Sequence, residues 1–151
     1  MSDAQKVGAR IARILLVEDS PDDAEITRRA FERAKLGNEL TVVPDGEAAL
    51  DLLYRSCAEQ GNPGVDMILL DLGLPKIDGR AVLQTIWGDR RLRHIPVIVL
   101  TASEREDDLI QSYRGGAVAF LRKPVNVERL LKAVGDLHGY RLYIARLNDA
   151  L

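Results

Sequence analysis

Short runs of apolar residues recur along the chain, and each run is followed by a polar turn and a longer segment with helical spacing. The runs lie at residues 14–17, 40–43, 65–70, 97–100 and 117–121, and the polar residues within them are Thr41 and Asp66. They are too short for helices, and largely apolar runs of this length are typical of strands buried on both faces of a sheet. The pattern therefore predicts five buried strands.

The segments after these runs carry the signals of helices. Residues that are favoured at helix N-caps precede four of them: Ser20, Asp45, Ser103 and Asn126. Pro21 suits a first helical position, and Glu106 stands three residues after Ser103, as in a capping box. Apolar residues then recur on one face of each segment, including the one after Gly79. The sequence therefore predicts five helices that alternate with the strands.

Alternating strands and helices indicate an α/β fold. A parallel sheet with helices on both faces and right-handed crossovers buries such strands completely. We predict one doubly wound (βα)5 domain over residues 13–138. A flexible N-terminal segment over residues 1–12 and an apolar C-terminal extension over residues 139–151 are expected to flank it.

Composition narrows the classes of function. The chain has 151 residues, of which 46% are hydrophobic and 29% are charged, as in ordinary globular domains. Its 21 basic and 23 acidic residues are spread along the length, so no nucleic-acid partner is expected. Cys57 is the single cysteine, and the sequence shows neither a signal peptide nor an apolar run long enough to span a membrane. We therefore expect a cytoplasmic protein without a membrane partner.

Polar residues with chemical potential follow the predicted strands. Glu18 and Asp19 come after the first strand, Asp71 after the third, Thr101 after the fourth and Lys123 after the fifth. Ligands of open α/β sheets bind at the carboxyl ends of the strands, so these side chains are expected to converge. Three carboxylates stay ionised together only beside a cation, and oxygen ligands of this kind select Mg2+. Asp71 is then a candidate nucleophile toward phosphorus, with Lys123 and Thr101 stabilising the phosphoryl oxygens.

Each of these residues also has an ordinary structural interpretation. Glu18 and Asp19 could simply cap a helix, and Asp71 could simply end a strand. A lysine before a proline is common at solvated strand ends, and threonine is a common strand residue. The functional interpretation therefore depends on the whole set lying at successive strand ends.

The motifs at these strand ends resemble those of the receiver domains of two-component response regulators. They are ILLVED at residues 14–19, ILLDLGLPKIDG at 68–79, PVIVLTA at 96–102 and GAVAFLRKP at 116–124. The resemblance covers roughly residues 13–138. It implies a flavodoxin-like receiver fold, whose five-stranded parallel sheet has the order 2-1-3-4-5. It also implies that a sensor histidine kinase donates a phosphoryl group.

The resemblance assigns roles to individual residues. Asp71 matches the phosphoacceptor, while Thr101 and Lys123 match the hydroxyl and the ammonium that contact the phosphoryl group. The implied Mg2+ ligands are Asp19 directly, Glu18 through water, Asp71 and the backbone carbonyl of Gly73.

Two further features follow from the resemblance. Phe120 matches the aromatic residue that turns inward on activation, although it lacks the hydroxyl that many family members carry there. A plain core residue is the alternative interpretation of Phe120. The Lys123–Pro124 peptide bond is implied to be cis.

The residues after the last predicted helix bear on the output of the protein. About a dozen residues follow that helix, too few for an effector domain, so the receiver surface itself is expected to signal. The extension is apolar, and it could pack on its own domain or form a homodimer contact. A narrower resemblance at residues 55–64 and 87–94 is to the stand-alone regulators associated with bacterial phytochromes, many of which dimerise. That resemblance favours a homodimer and a bacterial phytochrome as the kinase.

Two other classes of function share most of these residues. An aspartyl-nucleophile phosphatase usually has a second acid two residues after the nucleophile, where this chain has Gly73. The other alternative is a receiver fold that binds partners without phosphate, and the complete set of acidic, hydroxyl and ammonium residues argues against it. We therefore expect a phosphoacceptor signalling protein and not an enzyme with its own substrate.

Overall fold

The computed structural model describes residues 10–11, 13–34, 38–72, 79–101, 119–135 and 142–143. The strands in these ranges are β1 (Arg10–Ile11), β2 (Ile14–Val17), β3 (Leu40–Val43), β4 (Met67–Asp71), β5 (Val97–Thr101), β6 (Ala119–Arg122) and β7 (Leu142–Tyr143). The helices are α1 (Pro21–Arg33), α2 (Gly46–Gln60), α3 (Gly79–Gly88) and α4 (Val127–Gly135). Strands β2 to β6 and these helices are elements that the hydrophobic pattern predicts. The predicted helix after Ser103 lies outside the described residues.

Five strands form one parallel sheet in the spatial order β3-β2-β4-β5-β6. Counted from β2 as the first strand, this is the order 2-1-3-4-5, so the predicted doubly wound fold is confirmed. The register places Asp71 of β4 beside Leu100 of β5, and Thr101 of β5 beside Arg122 of β6. The carboxyl ends of these three strands therefore lie side by side at one edge of the sheet.

The central strands are buried on both faces, because alternate side chains of a strand point to opposite sides of the sheet. Leu15 of β2 belongs to the cluster that packs against α2 and α3, together with Leu83 of α3. Leu16, the next residue, belongs to the opposite cluster, together with Phe31 of α1 and Leu130 of α4. Within the described ranges, no helix combines the length and hydropathy needed to cross a bilayer.

The two terminal segments pair with each other through their backbones. Strand β1 runs parallel to β7, with Arg10 beside Leu142 and Ile11 beside Tyr143. Strand β1 lies in the segment predicted to be flexible, and β7 lies in the apolar extension. The extension therefore contacts the N-terminal segment of the same chain.

Gly79 begins α3 directly against the end of β4. A Cβ atom at this position would lie 2.5 Å from the carbonyl oxygen of Asp71 and 2.7 Å from the Cα of Leu72. These are backbone atoms, so they could give way only if the strand end itself moved. We expect Gly79→Ala to lower the free energy of unfolding by about 1–3 kcal/mol, the usual cost of overpacking, as measured by urea denaturation.

Gly88, at the other end of the same helix, offers the matched control. A Cβ atom there meets no atom within 4 Å. Alanine favours a helix over glycine by up to about 1 kcal/mol, so Gly88→Ala should leave the free energy of unfolding unchanged or raise it. Equal losses in the two variants would contradict the close approach at Gly79.

Candidate functional site

Two of the predicted site residues end neighbouring strands. Asp71 is the last residue of β4 and Thr101 is the last residue of β5, and they are 6% and 5% exposed. The backbone N–H of Lys123 donates to the carbonyl oxygen of Thr101 over 2.8 Å, which holds the chain after β6 against the end of β5. The Lys123–Pro124 peptide bond is cis, so that expectation is confirmed. The fold thus brings these three residues to one edge of the sheet.

The ammonium group of Lys123 lies among carboxylates. Its Nζ is 3.1 Å from Oδ2 of Asp71 and 3.1 Å from Oε1 of Glu18. It is also 3.0 Å from Oδ2 of Asp23. The lysine side chain is only 16% exposed, so these charge-assisted hydrogen bonds form largely away from water, where they are strong. Lys123 therefore joins side chains from the end of β2, the start of α1 and the end of β4.

The N-terminus of α1 positions two of these carboxylates. Ser20 caps the helix as predicted, because its Oγ accepts a hydrogen bond from the backbone N–H of Asp23 over 3.1 Å. The backbone N–H of Ser20 donates to Oε2 of Glu18 over 3.3 Å, which orients that carboxylate. Since α1 starts only a few residues after β2, its first turn lies close to the strand ends and Asp23 reaches Lys123.

Asp23 is the site residue that sequence reasoning missed. The pattern assigns it only a favourable place near the positive end of the helix dipole. Its contact with Lys123 is a finding of the structure. The available signal was an acidic residue in the first turn of a helix that starts at the carboxyl end of a strand.

Burial and neighbouring charged groups shift the pKa values of Glu18 and Lys123 in this pocket. Burial, together with the contact and repulsion of the Asp71 carboxylate, raises the pKa of Glu18 from 4.5 to about 7, although the Ser20 N–H and Lys123 oppose the rise. Burial lowers the pKa of Lys123, but the hydrogen bonds and attraction of Asp23, Asp71 and Glu18 outweigh that effect and raise the pKa above its ordinary value. Lys123 therefore stays charged, and the pocket has more acidic than basic groups.

The raised pKa of Glu18 makes the stability of the metal-free protein depend on pH. A carboxyl group whose pKa is higher in the folded state holds its proton more tightly there, so its stabilising contribution is lost as pH rises from about 4.5 to about 7. In EDTA, we expect the free energy of unfolding, relative to that of Glu18→Gln, to fall by on the order of 1–2 kcal/mol between about pH 5.5 and about pH 7.5. Urea denaturation of both proteins measures this change. A difference that is constant with pH would contradict the raised pKa.

Three carboxylates of the site could share one cation. Glu18, Asp19 and Asp71 each offer an oxygen atom, and these atoms lie within 4.8 Å of one another. Asp19 is exposed while the other two are buried, so the group opens to solvent on the Asp19 side. Oxygen ligands with one open side fit a hard divalent cation that keeps several of its waters. Gly73, the predicted backbone ligand, lies outside the described residues.

Phe120 lies away from the strand ends, within β6. It pairs with Val99 of β5 and is half-buried against the core cluster beneath α2 and α3. A core residue and an activation switch would both be placed in this way. The switch role of Phe120 therefore stays a prediction.

A doubly wound sheet of this strand order, with an acidic group at its carboxyl edge, has the architecture of a receiver. Comparison with known protein families supports this assignment, since the family model of the response regulator receiver domain matches residues 14–135 of the chain. The match runs from the start of β2 to the end of α4. The chain belongs to this family, and the resemblance seen in the sequence is confirmed.

The similar proteins include response regulators of phytochromes, so the narrower resemblance is also confirmed. Response regulator Rcp1 of Synechocystis sp. (strain ATCC 27184 / PCC 6803 / Kazusa) is 40% identical over 137 residues, which cover 91% of this chain and 93% of Rcp1. The structure of the bacteriophytochrome response regulator AtBRR is 48% identical with a TM-score of 0.74, and the match covers 85% of this chain and 93% of that one. The structure of the phosphorylated cyanobacterial phytochrome response regulator RcpA is 38% identical with a TM-score of 0.67, and the match covers 83% of this chain and 89% of RcpA. The structure of the Mn2+-bound form of Rcp1 is 41% identical with a TM-score of 0.66, and the match covers 82% of this chain and 88% of the Rcp1 chain.

Proposed function

We propose that the chain is a single-domain response regulator that accepts a phosphoryl group on Asp71 from a sensor histidine kinase in a Mg2+-dependent reaction. The observation that carries this proposal is the meeting of Asp71 with Lys123, whose Nζ is 3.1 Å from Oδ2, beside the acidic residues Glu18 and Asp19. The phosphorylated structure of RcpA, a relative with 38% identity, supports the same chemistry.

In the proposed reaction, a carboxylate oxygen of Asp71 attacks the phosphorus atom of the donor. A bond from phosphorus to this oxygen forms, the bond from phosphorus to the imidazole nitrogen of the kinase breaks, and the imidazole leaves. Lys123 donates N–H groups to the phosphoryl oxygens, and the hydroxyl of Thr101 is proposed to do the same. Burial of Asp71 and Thr101 limits the access of water to these two side chains, although the site is open on the Asp19 side. A cation held by the carboxylates of the site would supply positive charge that stabilises the phosphoryl oxygens.

We propose Mg2+ as the cation because the donors are carboxylates, which are hard oxygen ligands. Glu18, Asp19 and Asp71 would hold it, together with the backbone carbonyl of Gly73. The Mn2+-bound structure of Rcp1 supports a divalent cation at such a site in this family.

Incubation with acetyl phosphate tests this function. Intact-protein mass spectrometry should show one added phosphoryl group in Mg2+ and none in EDTA. Absence of the group in Mg2+ would overturn the proposal in favour of an interaction module that works without phosphate. Sustained turnover of a small phosphate ester would overturn it in favour of an aspartyl-nucleophile phosphatase.

The exposed face of α1 is proposed to meet the kinase. Ile26 is 44% exposed, and the charged residues Arg28, Arg29 and Glu32 lie on the same helix and are exposed. Arg29 is paired with Glu25 over 3.3 Å, which fixes part of the charge pattern of this face. A phosphotransfer screen against sensor kinases, bacterial phytochromes included, should identify the donor, and charge reversal at Arg28 should weaken transfer from that kinase while acetyl phosphate still reacts.

We propose that the phosphorylated chain signals through the surface of the receiver domain. Phe120 would transmit the change from the phosphorylation site to this surface, and a homodimer would be the signalling form. The apolar extension is the proposed dimer contact, although β7 within it pairs with β1 of the same chain. Removal of residues 141–151 followed by mass measurement in solution tests this role. A dimer that becomes a monomer would support it, whereas an unchanged oligomeric state would end it.

A further inference from the structure

The carboxylate of Asp23 contacts the pocket without belonging to the group that could bind a cation. Its Oδ2 is 3.0 Å from Nζ of Lys123, as close as the contacts of the same nitrogen with Glu18 and Asp71. Among the described residues, the carboxylates close enough to share one cation are Glu18, Asp19 and Asp71. Asp23 therefore interacts with the ammonium group and not with the volume that those carboxylates enclose.

The contacts of Lys123 match the full number of its donors. An ammonium group has three N–H bonds, and Glu18, Asp23 and Asp71 are each placed to accept one. Phosphorylation would change two of these acceptors. Asp71 would become an acyl phosphate, whose negative charge lies on the phosphoryl oxygens, and Glu18 would share its charge with the cation. Asp23 is the acceptor that the reaction leaves unchanged.

The backbone around Asp23 is fixed on both sides. Its N–H donates to Oγ of Ser20 over 3.1 Å, and its carbonyl oxygen accepts from Oγ1 of Thr27 over 3.1 Å. Thr27 is buried against the domain, so this turn of α1 is anchored. The side chain of lysine, by contrast, is long and flexible, and ordering it costs conformational entropy. A carboxylate on an anchored turn of backbone is suited to hold such a side chain in one direction.

We infer that Asp23 is a positioning residue, which holds the Lys123 ammonium at the phosphoryl site both before and after Asp71 is phosphorylated. The inference rests on the proposed function, since it concerns the same reaction. Without Asp23, Lys123 keeps its charge but loses a fixed partner, so a smaller fraction of molecules presents the ammonium to an incoming phosphoryl group. Transfer should become slower while cation binding stays the same.

The experiment compares Asp23→Asn with Asp22→Asn in the full chain. Both variants remove one negative charge from the first turn of α1, but Asp22 is exposed, so its variant controls for the helix dipole. Rate constants of phosphorylation by acetyl phosphate are measured by intact mass over a series of Mg2+ concentrations. At saturating Mg2+, Asp23→Asn should react about tenfold more slowly, which corresponds to about 1.4 kcal/mol of activation free energy. The Mg2+ concentration at half-saturation should not change, and Asp22→Asn should behave as the unsubstituted chain does.

Asp23→Glu is the second variant, because its carboxylate can still reach the ammonium group and should restore part of the lost rate. A rate of Asp23→Asn equal to that of Asp22→Asn would overturn the inference. A faster rate would also overturn it, since Asp23 would then compete with the phosphoryl oxygens for Lys123. A raised Mg2+ requirement would assign Asp23 to cation binding instead. Lack of uptake by the unsubstituted chain would overturn the proposed function and this inference together, whereas a normal rate in Asp23→Asn alone overturns only the inference.

Discussion

Replacement of Asp71 by asparagine is expected to abolish the uptake of phosphoryl groups from acetyl phosphate in Mg2+. The amide side chain has nearly the same size and can still lie beside Lys123, but it lacks the negatively charged oxygen that we propose attacks phosphorus. The unsubstituted chain should gain one group under the same conditions, so the expected effect is all or none. Intact-protein mass spectrometry of the two proteins measures it.

The stability of this variant is the control for misfolding. The Asp71 carboxylate lies buried beside Glu18, and it raises the pKa of Glu18 by contact and repulsion. The variant loses the ion pair of Asp71 with Lys123, but Lys123 keeps Glu18 and Asp23 as partners. Relief of the repulsion should therefore raise the free energy of unfolding in EDTA by on the order of 1 kcal/mol. A variant that is more stable and yet unreactive cannot owe its inactivity to unfolding. Uptake that persists in Asp71→Asn would place the acceptor elsewhere and overturn the proposed function.

The part of the fold that carries Asp71 could be predicted because its strands are buried on both faces. Strand β2 and the first four residues of β4 are continuous apolar runs, and the first polar residue after each run marks the strand end. Glu18 and Asp71 stand at these points, so the strand ends and the acidic edge follow from one pattern. The strand order itself came from the family resemblance, since apolar runs do not state which strands are neighbours.

The contact between Asp23 and Lys123 could not be predicted in this way. The two residues are 100 positions apart and meet because the first turn of α1 lies close to the end of β6. Helical periodicity identifies the buried face of α1, but it does not say how far its first turn reaches over the sheet edge. The capping residue predicts where α1 starts, but only the structure shows that Lys123 lies opposite its first turn.

The polar contacts of Asp66 and the two short strands β1 and β7 could not be predicted for a similar reason. Strand β4 starts at Met67, two residues later than the predicted start at Val65. The carboxylate of Asp66, just before the strand, accepts hydrogen bonds from the backbone N–H of Arg13 over 2.8 Å and from the Arg13 Nε–H over 3.0 Å. Strands β1 and β7 have two residues each, too few to show an alternating pattern. Their pairing depends on where the two terminal segments meet in space, which local sequence does not encode.

Lys123→Ala is expected to be the most damaging substitution for the stability of this pocket. Its ammonium nitrogen lies within 3.1 Å of three carboxylates, and its removal leaves Asp23 and Asp71 without their cation while Glu18, whose pKa is about 7, takes up a proton. Removing one partner of a buried ion pair costs about 3–5 kcal/mol, although Asp23, whose side chain is 40% exposed, is partly screened by solvent. We expect the free energy of unfolding in EDTA at neutral pH to fall by about 3 kcal/mol, as measured by urea denaturation.

Phosphoryl transfer should fall in the same variant. Loss of one donor to a developing oxyanion typically slows a reaction about 100- to 1,000-fold, and Lys123 is the proposed ammonium donor to the phosphoryl oxygens. The rate is measured with acetyl phosphate and Mg2+ at a temperature where circular dichroism shows the variant folded. Lys132→Ala removes an exposed lysine of α4 and should change neither stability nor rate. A Lys123→Ala protein that reacts at the normal rate would contradict the role of this ammonium.

The double substitution of Lys123→Ala with Asp23→Asn tests whether the two residues act through their contact. In the unsubstituted chain, Asp23→Asn removes an ion pair and should lower the free energy of unfolding. In the Lys123→Ala background, Asp23 is an uncompensated negative charge in the same pocket as Asp71, so the same substitution should recover part of the lost stability. Residues in contact are expected to be non-additive in this way, with a coupling energy of about 0.5–3 kcal/mol. Effects that simply add would mean that the 3.0 Å contact does not form in solution.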